Sequence, residues 1–82
     1  PGVYVWWNGK KLKIHKARVV EDRGQHTVQS LGSVAYKDSE SILVQTHKNF
    51  LSLIEVQPES KPRMSVAEFL RGYPIKIKDK FV

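Results

Sequence analysis

Basic side chains are concentrated in one short stretch of the chain. Five of the nine residues at positions 10–18 are lysine or arginine, and none is acidic. Cations aligned on the exposed side of a strand are the electrostatic feature that binds a phosphate backbone. The predicted phosphate-binding residues are Lys10, Lys11, Lys13, Lys16 and Arg18, with Lys61 and Arg63 as weaker candidates.

These lysines have a second interpretation that involves no ligand. Lysine on a strand keeps the exposed side of a sheet soluble and prevents edge-to-edge aggregation. The absence of acids from positions 10–18, while acids occur elsewhere in the chain, favours the binding interpretation.

Three aromatic residues lie directly before the basic stretch. Strand alternation sends Trp6 and Trp7 to opposite sides, and Trp7 shares its side with Val3 and Val5. We therefore expect Trp7 to be buried and Tyr4 and Trp6 to be partly exposed. The exposed pair either stacks on bases or only covers one end of the fold.

Catalytic and metal-binding patterns are absent from the sequence. His15, His26 and His47 have neither metal-ligand spacing nor a carboxylate in a recognisable arrangement, and we expect them to be solvated. There is no cysteine, which excludes disulfides and thiolate zinc sites. We expect no catalytic residue, cofactor or metal site in this chain.

A β-hairpin positions the basic residues. Asn8-Gly9 is a strong two-residue hairpin signal and joins a strand at 3–7 to a strand at 10–20. Leu12 and Ile14 lie on one side of the second strand, but the apolar side then changes phase to Ala17 and Val19. This predicts a β-bulge near residues 15–16, which leaves the basic side chains at 11, 13, 16 and 18 facing outward.

The remainder of the chain predicts further strands and one helix. Strands are expected at 32–36, 42–46 and 50–56, after a polar loop at 21–31, and Pro58 is expected to end the last of them. Asn49 is the candidate for a left-handed turn residue. Alternation at 75–81 is compatible with a final edge strand. The spacing indicates a small sandwich or barrel.

The helix has clear start and stop signals. Ser65 is the predicted N-cap, with Glu68 three residues later, and apolar residues follow at helical spacing. Gly72 is the predicted C-cap, and Pro74 prevents continuation. This helix is too short to be stable alone and must pack on the strands.

Size and charge limit the function. The chain has 82 residues and a formal net charge of +6, so we expect one domain spanning 1–82. No apolar run approaches the roughly 20 residues that a membrane helix needs, and we expect no membrane partner. Because the sequence begins with Pro1-Gly2 and not with methionine, we expect a piece of a longer protein.

Several motifs resemble those of the methionyl-tRNA formyltransferase C-terminal domain. Residues 8–14 are similar to its Asn-Gly-Lys-Arg-(Leu/Ile)-Lys-Ile hairpin, and residues 64–72 to its Met-(Ser/Thr)-x-x-(Asp/Glu)-Phe-Leu-x-Gly helix. Pro1-Gly2, Gly32-Ser33-Val34 and residues 53–57 also match. Residues 47–49 depart from the family's usual Gly-Asp-Gly turn.

The resemblance implies a mainly β fold, a small OB-like Greek-key β-barrel of five to six strands with one short helix near the C-terminus. It implies that this barrel helps to hold initiator tRNA, and the basic residues predict that the contact is made to its phosphate backbone. The formyl donor, 10-formyltetrahydrofolate, would then bind an N-terminal catalytic domain of the same protein, in a bacterial cytoplasm or an organellar matrix. The family's catalytic residues match none of these positions.

Two alternatives remain open. Similar barrels follow sugar-nucleotide and folate formyltransferase or hydrolase domains, where they are structural props or interfaces that do not bind RNA. A free-standing nucleic-acid binder is disfavoured by the missing start methionine.

Overall fold

The computed structural model describes residues 2–24 and 29–82. Within them lie six strands and one helix, so the predicted mainly β class is confirmed. The elements are β1 (Val3–Trp7), β2 (Lys10–Val20), β3 (Val34–Lys37), β4 (Ile42–Gln45), β5 (Phe50–Pro58), β6 (Met64–Ser65) and α1 (Val66–Gly72). His26 and part of the predicted polar loop lie outside the described residues.

The strands form one antiparallel sheet in the order β1-β2-β5-β4-β3, with β6 paired to β5. The β1–β2 turn has the predicted conformation, since Asn8 and Gly9 have φ values of 53° and 77°. Both residues of a type I′ hairpin turn need positive φ. The turn aligns Trp7 with Lys10, and this register determines which residues face each other along both strands.

The predicted bulge in β2 is confirmed. Ile14 pairs with Val56 and Ala17 with Leu53, and the register shifts on both sides of Lys16. The extra residue returns Ala17 to the side of Leu12 and Ile14, so β2 keeps one apolar side along most of its length. One expectation was wrong: Val19, near the end of β2, is 67% exposed and does not continue the apolar side.

The core lies between the sheet and the helix. Its buried residues come from every strand except β6, from α1 and from the C-terminal segment 75–82. Ser65 caps α1 as predicted, accepting the Glu68 N–H at 3.2 Å. The C-cap prediction was wrong, because Gly72 is still helical and Tyr73, in extended conformation, donates its N–H to the Phe69 carbonyl.

One predicted strand end and one predicted turn residue differ from the structure. The strand expected at 50–56 continues to Pro58, the last paired residue of β5, whose register partner is Leu12; proline is tolerated at a strand end although it donates no backbone hydrogen bond. Asn49 does not have positive φ; its side-chain oxygen accepts the Asp22 N–H at 3.2 Å. The turn is held by Thr46, whose N–H and hydroxyl both donate to the Asn49 carbonyl.

The C-terminal segment is not the predicted regular strand. Lys78 has a φ of 77°, and the turn there interrupts the alternation, so that Ile75 is buried while Ile77 is 46% exposed. Residues 78–82 nevertheless connect the two ends of the strand order. Val82 and Trp6 exchange backbone hydrogen bonds, and Phe81 donates to the Gly32 carbonyl just before β3. These bonds are compatible with the predicted barrel.

Candidate nucleic-acid interface

The outer side of β1, β2 and β5 carries the predicted basic residues. Leu12 and Ile14, which are buried or half-buried, point to the inner side of the sheet, and strand alternation sends Lys11 and Lys13 to the outer side. After the bulge, Ala17 points to the inner side, and Lys16 and Arg18 point to the outer side. We call the outer side of these strands, with Tyr4, Trp6, Lys11, Lys13, Lys16 and Arg18, the cationic face. Four of the five β2 cations therefore share one side of the sheet.

Lys10 differs from the others. Alternation puts it on the side of Leu12, opposite Trp7 in the hairpin register. It is exposed because it begins the strand beside the Asn8-Gly9 turn. Lys10 thus borders the cationic face at the hairpin end and is not part of it.

Tyr4 organises the centre of the cationic face. Its ring lies 4.3 Å from Lys11 Nζ and 5.4 Å from Lys13 Nζ, measured to the ring centroid. Both distances are in the range of cation–π attraction, worth about 0.5–1 kcal/mol at an exposed site. The ring therefore holds two ammonium groups near each other on one surface.

Two hollows adjoin these lysines. One of about 230 Å³ is lined by Tyr4, Lys11, Lys13 and residues 57–60. A second, of about 330 Å³, is lined by Lys10, Lys11, residues 58–60 and Tyr73. Glu59 borders both, so each hollow has one acidic wall.

Neighbouring polar groups stabilise the outer side of β5. His15 Nε2 is hydrogen-bonded to Gln57 Oε1 at 2.8 Å, and Gln57 Nε2 donates to the Lys61 carbonyl at 3.0 Å. The expectation that His15 is only solvated was therefore wrong, because this contact gives it a hydrogen bond within the protein. The link across 42 positions also ties the bulge to the segment that follows β5.

The two weaker candidates lie beyond β5. Lys61 is exposed. Arg63 forms an ion pair with Glu55 at 3.3 Å, and this is the one ion pair among the described residues. An arginine already paired with a carboxylate attracts phosphate less strongly, so Arg63 remains the weaker candidate. The five β2 cations have no carboxylate within ion-pair distance in the described part of the chain.

The tryptophans divide as expected. Trp7 is 5% exposed, and its indole N–H donates to Asp79 Oδ2 at 3.0 Å. Its ring makes edge contacts with Phe69 and Tyr73. Trp6 is 47% exposed and Tyr4 55% exposed, both on the cationic face.

The sequence could not indicate the Asp79 contact. The same oxygen also accepts the Lys76 N–H at 3.0 Å. No local pattern connects positions 7 and 79, and a single carboxylate in a basic segment gives no signal of such a partner.

The described residues include no group of three or more histidine or acidic side chains placed to hold a metal ion. The one helix in the described ranges, seven residues long, is too short to cross a membrane.

Comparison with known proteins relates the chain to formyltransferases. A family model described as "Formyl transferase, C-terminal domain" matches residues 1–74. The methionyl-tRNA formyltransferase of Bdellovibrio bacteriovorus is 41% identical over 80 residues, covering 98% of this chain and 25% of the relative. The enzyme of that name from Lactococcus lactis is 38% identical over 85 residues, covering 99% of this chain and 25% of the relative.

A third relative gives the same result. The methionyl-tRNA formyltransferase of Streptococcus thermophilus is 40% identical over 77 residues, covering 87% of this chain and 23% of the relative. The chain thus spans about a quarter of the length of the curated relatives that it matches. By the match to its family model and by these relatives, the chain belongs to the formyl transferase C-terminal domain family, as represented in methionyl-tRNA formyltransferases.

Proposed function

We propose that this chain is a non-catalytic RNA-binding domain that holds initiator tRNA by its phosphate backbone. The observation that carries the proposal is the cationic face, where four cations of β2 share one side without a paired carboxylate. Two of them, Lys11 and Lys13, are held together against Tyr4. Because these two ammonium groups already lie close together on one ring, they lose less freedom when they bind a phosphate than two dispersed lysines would.

The identity of the RNA comes from the relatives. These relatives are methionyl-tRNA formyltransferases, and that name identifies methionyl-tRNA as the molecule that they modify. We propose that the formyl group comes from 10-formyltetrahydrofolate on an N-terminal catalytic domain outside this chain. The chain would then contribute affinity and orientation, in a bacterial cytoplasm or an organellar matrix.

The proposal is tested by titrating the chain with initiator tRNA at several salt concentrations. Lys11, Lys13 and Arg18 are changed together to Glu, and a matched control changes the exposed Lys48, Lys76 and Lys80 to Glu. Both triple variants remove the same formal charge. If each of the four cations on this face contacts one phosphate, the log–log salt slope is about −3 to −4.

We expect the first variant to lose most of the affinity and much of the salt slope, and the control to lose less of both. Absence of tRNA binding at low salt contradicts the proposal. So does an equal loss in the two variants, because net charge and not the cationic face would then control binding.

A second candidate function is an interface with another domain. An apolar hollow of about 340 Å³ lies on the inner side of β1, β2 and β5, lined by Val3, Val5, Ile14, Leu51 and neighbouring residues. Val3 is 63% exposed there. This hollow favours packing against the N-terminal catalytic domain of the same protein, as in the sugar-nucleotide or folate formyltransferase alternative.

The two candidates predict different results in a full-length protein. If the barrel is only an interface, Val3→Asp together with Val5→Asp reduces activity while the lysine reversals leave it intact. If it binds RNA, the lysine reversals raise the tRNA concentration needed for half-maximal activity. The two roles use opposite sides of the same strands and can coexist.

A further inference from the structure

Trp6 is a large apolar ring on a polar, charged surface. Its register partner is Lys11, and it lies two residues from Tyr4, on the same side of β1. Nearly half of its surface is exposed. The described ring contacts of Trp7, Phe69 and Tyr73 do not include it.

Tyr4 and Trp6 have different surroundings. The Tyr4 ring already carries the ammonium groups of Lys11 and Lys13. The described cation–π contacts leave the Trp6 ring without a cation. The cationic face thus has one aromatic ring that holds cations and, beside it, one that is available to a flat ligand.

We propose that this part of the cationic face binds an unpaired nucleotide, with its base stacked on Trp6 and its phosphate on Lys11 and Lys13. This inference rests on the proposed RNA-binding function and names the element of RNA that is recognised. Stacking needs a base whose flat surface is accessible, and inside a duplex both surfaces of each base are covered by its neighbours, so that only the two terminal base pairs expose one surface each. Each stacked base contributes about 1–3 kcal/mol in single-strand binding proteins.

Stacking on Trp6 and attraction by charge alone predict opposite preferences between single-stranded and duplex RNA. Duplex RNA has a higher charge density than a single strand, so lysines by themselves favour the duplex. A preference for single-stranded RNA must therefore come from contacts with bases. Both aromatic rings of the cationic face are partly exposed, but Tyr4 already contacts two ammonium groups, so the ring left for such a contact is Trp6.

The test compares a ten-nucleotide single-stranded RNA with a blunt duplex of the same sequence, binding each to the 82-residue chain. We expect the single strand to bind more tightly and to quench tryptophan fluorescence. The variant Trp6→Leu should lower single-strand affinity by about fivefold to a hundredfold, remove the quenching and leave the salt slope unchanged. Duplex affinity should change less than twofold.

Two controls keep the result interpretable. Tyr36→Leu removes a partly exposed ring from β3, at the other end of the strand order, and should leave the single-strand preference unchanged. Thermal unfolding of Trp6→Leu should remain a single transition close to that of the parent chain, because nearly half of the replaced side chain is exposed and leucine keeps an apolar group on the strand. Trp6→Phe, which keeps a ring, should restore part of the affinity.

The possible failures are distinguishable. Binding of both RNAs without a single-strand preference, or a preference that survives in Trp6→Leu, overturns the stacking inference alone. Failure of either RNA to bind at low salt overturns the proposed function as well.

Discussion

Lys11 and Lys13 carry like charges but lie against the same tyrosine ring. Without Tyr4, the two ammonium groups would separate, because repulsion and side-chain entropy both favour dispersal. With Tyr4, their stems are half-buried and their charges adjoin one hollow. A single aromatic residue thus converts two flexible surface lysines into a local centre of positive potential.

Asp38 is the residue whose ionisation is most clearly coupled to local structure. Its carboxylate accepts the N–H groups of Glu40 and Ser41 and the hydroxyl of Tyr36, at 2.8–2.9 Å. The pKa of Asp38 is lowered mainly by the Glu40 N–H, then by the Tyr36 hydroxyl. The pKa of Tyr36 is raised, since its hydroxyl donates to this carboxylate and lies beside its charge.

We predict that, on the acid side of neutrality, the turn between β3 and β4 weakens only at strongly acidic pH. Because the folded pKa of Asp38 is below its unfolded value, its stabilising effect is complete above the unfolded pKa and is lost as the pH falls through the folded pKa. An NMR titration should give Asp38 a midpoint below the ordinary aspartate value, with the Glu40 and Ser41 amides following it. Asp38→Asn should return the pKa of Tyr36 toward its ordinary value. An Asp38 midpoint at or above the ordinary value would refute this.

At the scale of elements, β2 and α1 connect the binding surface to the core. The bulge at Lys16 keeps the basic side chains on the outer side of an 11-residue strand. The helix buries Val66 and Phe69 and supplies part of the wall against which Trp7 packs. Since α1 has only seven residues, its stability depends on its cap and on this packing.

We predict that Ser65→Ala destabilises the domain by about 1 kcal/mol, the usual value of a lost N-cap. The Ser65 hydroxyl accepts the Glu68 N–H, and alanine leaves that donor without its partner. Urea unfolding of the two proteins measures the difference. Ser65→Asp keeps an acceptor and adds a favourable charge at the helix start, so it should retain the stability. Equal stability of the Ala variant and the parent would show that the cap is not needed.

On the scale of the whole molecule, the C-terminal segment joins the two ends of the strand order. Gly32, just before β3, makes this possible: it has a φ of +82°, and a Cβ there would lie 2.5 Å from the Phe81 carbonyl oxygen. The close approach allows the Phe81 N–H to donate to the Gly32 carbonyl at 2.8 Å. Any side chain at position 32 would push the segment away from β3.

We predict that Gly32→Ala destabilises the chain by about 2–3 kcal/mol, from backbone strain together with the displaced contact. Gly9→Ala is the matched control. Gly9 has nearly the same positive φ, 77°, but a Cβ added there would meet open space. Gly9→Ala should therefore lower the free energy of unfolding only by the backbone strain, about 1–2 kcal/mol. Both are measured by urea unfolding. Equal destabilisation in the two variants would show that the approach of Phe81 contributes nothing.

Local features of this protein were determined by the sequence alone. Period-two alternation, the Asn8-Gly9 turn, the phase change that makes the bulge and the Ser65 cap all depend on residues a few positions apart. For the same reason the basic stretch could be identified and its outward side predicted. The predictions of the helix C-cap and of a final strand were wrong, because Gly72 and the alternation at 75–81 are weak signals. The Tyr73 N–H bond to Phe69 and the turn at Lys78 override them.

Contacts between distant positions were decided only by the tertiary structure. The Asp79 bond to Trp7 and the backbone hydrogen bonds that residues 78–82 make near β1 and β3 depend on how distant parts of the chain meet. The contact of both Lys11 and Lys13 with the Tyr4 ring depends on the side-chain rotamers of residues on two neighbouring strands. The ion pair of Arg63 depends on how closely it approaches Glu55. The sequence determined which charges exist and on which side they lie. Packing decided which of them remain unpaired, because pairing depends on distances that no local pattern encodes.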